Sequence, residues 1–580
     1  MSRFACAWRK PLSLLVAAAL VTAGDSARAL EPLPTPNIDV ALKPAAPDTQ
    51  NHVGSVDVVL KVTFFDPKAG APLLRMALVS SNVQTAADAL QGLEARDDSG
   101  PLALTAKDET GRPDTRHRVW TADRDIQGEL TVRYRVPITN ALNPRGAAPP
   151  FELRTEDGAF SGAGSAFLPL PEIDRPVSAQ IRWDLSAMPP GAIGLSSFGP
   201  AGYGCGPVSR LDNAFYMGGL AHAYPVPSPD HGFFSAWQGK PPFDGGELMA
   251  WTRDLYDRYL GFFHADPKQP YGVFLRPNPV NAGGGVELDG SFVGTFGPQT
   301  QPAALRFTLA HEMLHTFVRG LDGSDGLSGS WFSEGIAVYY QRTLPLRFGK
   351  VGPDGFLKDL NTTAGRYYTD LLNDTPNKDI PARFWADTRV RVLPYDRGAL
   401  YFAAVDGEVR RASGGKRNLD DLILAMLDLR RQGQPMDEAA WRRTLRAELG
   451  PAGEAGLDAM LSGALVLPRS DDFGPCFRRT TAKLRRYELG FAPQVLTEPT
   501  RTIRGLVHGS AAEAAGLRDG DQIVEPVPQD QIQADQGAHL TLQVRRDGKV
   551  FPVRYLPRGE TVDAYQWERI PGVPDSACAR

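Results

Sequence analysis

His311-Glu312-Met313-Leu314-His315 sits inside a run that opens on Pro302-Ala303-Ala304-Leu305 and carries Leu309. Proline suits the first turn of a helix, where its missing N–H has no intrahelical partner, and Ala and Leu propagate the helix. On that helix His311 and His315 are four residues apart. They share a face, roughly one turn of about 5.4 Å from each other. Two imidazoles so placed can hold one metal ion. Glu312, directly after the first histidine, can reach a water on that ion without ligating it.

Short patterns of this kind also occur in unrelated helices, so the next apolar run decides the reading. It is Trp331-Phe332-Ser333-Glu334-Gly335-Ile336-Ala337-Val338-Tyr339-Tyr340, and 18 residues separate His315 from Glu334. A carboxylate there completes a set of two histidines and one glutamate, and leaves the fourth tetrahedral position of a zinc ion to water. The plainer reading of Glu334 is a surface glutamate in a helix first turn, favoured by the helix dipole. Its neighbours Trp331, Phe332, Ile336 and Val338 argue for burial instead, and a buried carboxylate wants a cation.

The pair His-Glu-x-x-His and downstream Trp-x-x-Glu-Gly resembles the gluzincin metallopeptidases. The overall plan resembles their glycyl-aminopeptidase branch, which carries a PDZ domain, while the spacing to the third ligand is closer to the leucyl/alanyl-type aminopeptidases. The resemblance implies one zinc per chain, ligated by His311, His315 and Glu334, with Glu312 as general base. Pro394-Tyr395-Asp396-Arg397-Gly398 lies 61 positions (counted at Tyr395) after Glu334. It is similar to the family segment Tyr-Glu-Lys-Gly, whose tyrosine faces the zinc and donates to the oxygen that becomes negative in the transition state. A phenol, protonated at neutral pH, suits that task.

Ahead of the motif lies Asn281-Ala282-Gly283-Gly284-Gly285-Val286-Glu287-Leu288-Asp289-Gly290. Glycine lets a backbone approach a ligand closely, and an edge strand can pair with an extended peptide. The segment resembles Gly-x-Met-Glu-Asn of related aminopeptidases and Gly-Gly-Leu-Glu of the glycyl branch. That implies substrate contacts at Gly284 and Gly285, and at Glu287 a hold on the substrate's free amine. Val286 and Leu288 depart from the pattern.

The chain has 580 residues and a net charge of −4, so several domains are expected and nucleic acid is not an implied partner. Arg9 and Lys10 precede the apolar run Pro11–Val21, and Ala27-Arg28-Ala29 offers a small-x-small cleavage site. This reads as a signal peptide over 1–29, with export to a periplasm or the outside and no membrane span after cleavage. Cys205, Cys476 and Cys578 would remain. Export permits a disulfide, and Cys476–Cys578 would tie the C-terminal tail to the entrance of the last domain, leaving Cys205 as the odd thiol.

The expected fold is multidomain α+β. Runs of period two between 55 and 190, such as Val56–Val62 and Glu129–Val136, predict an N-terminal β-sandwich-like domain over 30–190. His222 and His231, in a Gly/Pro-rich stretch, are candidates for lining a cleft. Residues 191–470 are expected to form a thermolysin-like catalytic domain, strand-rich and then helical. Residues 471–580 resemble a bacterial PDZ domain with a C-terminal tail, in which Pro526-Val527-Pro528-Gln529-Asp530-Gln531-Ile532-Gln533 is a poor candidate for the usual groove helix. Such domains pair with an extended peptide or protein C-terminus. The expected activity is zinc-dependent peptide hydrolysis, as an aminopeptidase on short peptides with a small N-terminal residue. An endopeptidase and an inactive peptide-binding scaffold are the rivals.

Overall fold

The computed structural model describes residues 34–110, 116–142, 148–267, 269–324, 326–527 and 529–578. The expected signal segment, 1–29, lies outside the described residues. Among these residues no helix is long and apolar enough to cross a membrane. The architecture is mixed α+β with three sheet-containing regions around one large helical body.

The largest sheet has seven strands in the spatial order Tyr203–Gly206, Val177–Trp183, Asn37–Pro44, Ser55–Thr63, Leu130–Pro137, Gln91–Asp97 and Gly100–Leu102. Alternation places Ile38, Val40 and Leu42 inward on one strand and Val56, Val58, Leu60 and Val62 on the next. These side chains share one core with Leu73, Leu74, Met76 and Trp120 of a four-stranded sheet. Another four-stranded sheet contains Arg154–Glu156, Ala159–Ala163, Phe215–Gly219 and Ile193–Ser196. Phe215–Gly219 and Ile193–Ser196 thus pair into the β-rich region, as does Tyr203–Gly206 with Val177–Trp183. The expected boundary at 190/191 therefore cuts through paired strands. These strands are short and glycine-rich, and their partners lie far away in sequence.

A five-stranded sheet follows, in the order His222–Tyr224, Gly232–Trp237, Pro270–Pro277, Ser291–Phe296 and Gly285–Leu288. Its three central strands are parallel and the last, here called the edge strand, is antiparallel. The central strands are apolar on both faces because both are covered. One face meets Phe215 and Met217 of the preceding sheet; the other meets the helices Gly245–Phe262 and Pro302–Phe317. His222 stacks on Trp237 and His231 is exposed; neither borders the cleft described below.

The helical body contains Ser330–Arg347, Pro353–Tyr368, Leu393–Ala412, Leu419–Arg431, Glu438–Leu449 and Pro451–Leu461. Trp331, Phe332, Phe402 and Trp441 form its aromatic centre. Leu419–Arg431 is held at its start by a capping box between Asn418 and Asp421, which satisfies otherwise orphaned N–H groups.

Past residue 471 the chain is two things rather than one. Phe477–Tyr487 and Arg558–Arg569 form a long antiparallel ribbon whose Phe477, Ala564 and Trp567 belong to the core of the helical body. Asn361 clamps that ribbon by bonding both the N–H and the C=O of Trp567. Cys476 and Cys578 are joined by a disulfide at the ribbon's ends. Between the ribbon strands, a four-stranded sheet and the helix Ala511–Ala514 enclose a separate small core of Ile503, Leu517, Ile523, Leu542 and Val544. Phe491 is followed by the 3-10 helix Pro493–Thr497 rather than by an extended edge. Against expectation, Gln529–Ala534 is a helix. It is short and polar because it packs against polar groups of the helical body, which apolar periodicity cannot reveal.

Candidate metal centre

The site is assembled where three helices and the edge strand converge. Pro302–Phe317, the motif helix, starts with Pro302 in its first turn and buries Leu305, Leu309, Met313 and Leu314. This turns His311, Glu312 and His315 toward the cleft. Ser330–Arg347, the glutamate helix, brings Glu334, and Leu393–Ala412, the tyrosine helix, brings Tyr395.

Glu334 and Tyr395 come together because the glutamate and tyrosine helices touch backbone to backbone. A Cβ on Gly335 would stand 2.6 Å from Gly398 Cα, and one on Gly398 would stand 2.5 Å from Trp331 O. Each glycine thus lies within one turn of a site residue because nothing larger fits the crossing. Below it, Asp396 is fully buried and its carboxylate accepts from Arg366 Nε at 2.6 Å and Arg366 Nη2 at 2.5 Å. That pair pins the tyrosine helix to Pro353–Tyr368. In the sequence Asp396 is visible only as part of the Tyr395 motif, and nothing marks Arg366 as its partner.

His311 Nε2 lies 3.2 Å from His315 Nε2 and 3.2 Å from Glu334 Oε2, and His315 Nε2 lies 3.4 Å from that same oxygen. Zinc–ligand bonds of about 2.0–2.1 Å put tetrahedral ligands about 3.3–3.4 Å from one another. The three donors therefore outline one face of a zinc tetrahedron. Among the described residues this is the one group of three ligand-type side chains so placed. The outer ring nitrogen of His311 is also accounted for: Nδ1 is 2.9 Å from Gln341 Oε1, while Gln341 Nε2 donates to Asp359. Gln341 Oε1 can only accept, so Nδ1 carries the proton and the lone pair of Nε2 faces the other donors. Gln341 is a functional neighbour that the sequence did not single out. The donor set, its spacing and this tautomer all fit zinc.

Charge points the same way. Glu287, Glu312 and Glu334 surround two imidazoles. Burial alone would raise Glu334, but His315 and His311 hold its carboxyl well below the usual range. Burial pushes Glu312 up, against the pull of His311 and His315 and of a backbone N–H from Glu287. Burial likewise raises Glu287, opposed by His315 and Arg319. Three carboxylates in so small a space favour a cation among them.

The edge strand runs beside Glu312. A Cβ on Gly285 would lie 2.8 Å from Glu312 Cγ, so this glycine makes room for the glutamate. The N–H of Gly284 donates to Thr295 Oγ1 at 3.1 Å, which fixes the loop rather than leaving that donor free. Two cavities meet here. One, of about 690 Å³, is bordered by Glu287, His315, Arg319, Glu334 and Phe384; the other, of about 1070 Å³, by Gly283, Gly284, Thr308 and Arg391. Gly285, His311, Glu312 and Tyr395 border both. Tyr395 stacks near-parallel to His311, with ring centroids 5.9 Å apart. Burial, then the nearby Glu334 and Glu312, push its phenol well above its ordinary value, so it remains a donor.

No protein-family pattern matches this chain, and no curated protein matches it. Among solved structures it is similar to an aminopeptidase N family protein from Idiomarina loihiensis. The TM-score is 0.63 at 15% identity, covering 92% of this chain and 98% of that one. A zinc metallopeptidase of the M1 family from Deinococcus radiodurans, a mutant bound to Tyr-Ser-Ala, aligns at TM-score 0.44 and 17% identity over 75% of this chain and 95% of that one. Native yeast LTA4 hydrolase aligns at 0.43 and 13% over 75% and 68%. The Idiomarina likeness shows a shared multidomain α+β fold; the other two scores are too low to add to it.

Proposed function

We propose that this chain is a zinc metallopeptidase, acting as an aminopeptidase on short peptides. The observation that carries the reading is the triangle of His311, His315 and Glu334 at tetrahedral-edge spacing, with Glu312 beside it and not part of it. Zinc bound there would polarise the scissile carbonyl and make its water acidic.

The chain's own residues supply the rest. Glu312, raised by burial, takes the proton of the attacking water and returns it to the leaving amine. The Tyr395 hydroxyl donates to the oxygen that gains charge. The edge strand offers an unpaired side to an extended peptide, and Glu287 pairs with the substrate ammonium at the end of the smaller cavity. A chain whose amine is held there presents its first peptide bond to Glu312. By resemblance to the glycyl branch, the preferred N-terminal residue is small.

In the same reading, residues 30–190 are a sandwich-like scaffold extended by the strands up to Gly219, and the rest of the chain up to 470 is the catalytic body. The small sheet within 471–580 is PDZ-like. A 3-10 helix, Pro493–Thr497, stands where such a domain has its peptide-pairing edge after Phe491. The residues over 1–29 direct export to a periplasm or the outside.

The test uses zinc analysis and two substrate types. The purified protein should hold one zinc per chain, hydrolyse amino-acid anilides, and act poorly on N-acetylated peptides. A carboxylate–ammonium contact is charge-assisted, and removing one partner typically costs a few kcal/mol, or about a hundredfold in rate. Glu287→Ala should lose that factor on free-amine substrates with zinc unchanged. Equal turnover of blocked and free peptides by the unmodified enzyme would replace the aminopeptidase with an endopeptidase.

A further inference from the structure

The C-terminal small module does not stand apart from the cleft. Its helix Gln529–Ala534, here the bridge helix, touches both walls. On one side Gln531 Nε2 donates to Ala282 O, in the glycine loop that leads into the edge strand. On the other, Asp530 accepts from Arg391 Nη2 at 2.6 Å and from the Thr388 hydroxyl, just ahead of the tyrosine helix. Asp530, Gln531, Ala534 and Asp535 border the larger cavity together with Glu312 and Tyr395.

The helix is also held from behind. Buried Arg558 donates through Nη2 to Ile532 O at 2.7 Å and to Asp535 O at 2.6 Å. A guanidinium there satisfies carbonyls at the helix's C-terminal end and complements its dipole. Arg558 begins the ribbon strand that is built into the helical core. The module is thus braced, not tethered.

Its distance from the chemistry follows from the chain. Gly285 lies against Glu312, and Ala282 precedes it by three residues, a reach of at most about 11 Å. Glu287 borders the smaller cavity and the bridge helix the larger, with Glu312 on both, so the bridge helix stands on the side where the leaving part of a peptide must go. An extended peptide advances about 3.3–3.6 Å per residue, so at most about three residues fit between the scissile bond and this helix.

We propose that the bridge helix closes the leaving-group side of the cleft and sets the length of peptide the enzyme accepts, with Gln531 and Asp530 as the length-determining side chains. This rests on the peptidase reading above. It assigns the C-terminal module a part in choosing substrates by length, without requiring any ligand in a PDZ-type groove.

The experiment compares alanine peptides of two to six residues on the full-length protein, on Gln531→Ala, and on Asp530→Ala with Gln531→Ala. Gln531 is exposed, so its removal leaves the core untouched and the single variant guards against misfolding of the double one. For the unmodified enzyme, kcat/KM should fall at least tenfold between tri- or tetrapeptide and hexapeptide. In the variants that ratio should shrink to about threefold or less, chiefly through KM of the longer peptides. A hexapeptide cleaved as well as a tripeptide by the unmodified protein, or an unchanged ratio in both variants, would overturn the proposal. The same peptides, competing with a fluorescent tripeptide for Glu312→Gln, give the length dependence without turnover. Absence of hydrolysis with a length-dependent affinity would therefore remove the catalytic reading and leave this one.

Discussion

Gly398→Ala tests whether the backbone contact between two helices sets the geometry of the site. The new Cβ would sit 2.5 Å from Trp331 O and 2.7 Å from Gly335 Cα. Ordinary contacts between non-bonded carbons are about 3.5–4.0 Å, so the helices must part by about 1 Å. Neither backbone can swing aside as a flexible side chain would. Around the crossing, Trp331, Phe332 and Phe402 are packed ring on ring, so separation disturbs the aromatic centre as well. Overpacking of this kind costs about 1–3 kcal/mol of stability. The effect on catalysis should be larger, because Tyr395 and Glu334 sit on opposite sides of the crossing, and a displacement of about 1 Å can cost about a hundredfold. The assay pairs a thermal melt with kcat on an alanine anilide, and the control is Gly261→Ala, where nothing lies within 4 Å of the new Cβ. The control should melt no lower than the unmodified protein, since alanine is the better helix former. Gly398→Ala melting and turning over like the control would refute the argument that this crossing positions the site.

Glu334→Ala should lose tightly held zinc, whereas Glu312→Gln should keep it and lose activity; equal metal loss in both would show that their roles are not separate. The Cys476–Cys578 bond spans 102 residues of sequence, and opening a loop of that size costs about 4–5 kcal/mol in the chain-entropy account. Reduction should therefore lower the melting temperature, and unreduced peptide mapping should recover Cys476 linked to Cys578, not either one linked to Cys205. Asp370 is buried, and burial pushes its carboxyl up to about 7 despite the Leu372 N–H and Arg389. Its folded pKa lies above the unfolded value of about 3.9, so the folded state binds the extra proton, and stability is lost as pH rises from about 4 to 7. Asp370→Asn should remove up to about 4 kcal/mol of that loss, melting higher at pH 8 and little changed near pH 4; an equal shift at both would refute it.

How much of this could be read from the sequence depends on whether the signal was local. His311, Glu312 and His315 lie on one helix, and their spacing alone places them on a common face. Glu334 was legible from the apolar residues around it, and Tyr395 only through a resemblance. Gln341 was not legible, because one amide in an apolar helix gives no hint that it meets a histidine 30 positions earlier. The continuation of the β-rich region to Gly219 was hidden for the same reason: Phe215–Gly219 finds Ala159–Ala163 across more than fifty residues. The bridge helix was missed because its faces are polar. Asp530 and Gln531 look like a solvated loop until Arg391, Thr388 and Ala282 are brought beside them.

In the proposed peptidase, the three glutamates of the cleft are given three tasks by position alone. All three are raised by burial, so burial cannot distinguish them. Glu334 meets both inner histidine nitrogens, and their attraction outweighs burial; it is the carboxylate best held ionised, as a ligand must be. Glu312 has the edge strand against it, with Gly285 leaving space and a Glu287 N–H in contact. Its net shift remains upward, which suits a group that must take a proton and give it back. Glu287, farther along the strand, has Arg319 and His315 as its opposing charges and lies outside the ligand triangle, which leaves its carboxylate for the substrate ammonium in the proposed reading. In the proposed peptidase, the backbone of one edge strand would separate the base from the amine anchor, and the spacing between those two carboxylates, not their chemistry, would direct attack to the first peptide bond of a chain.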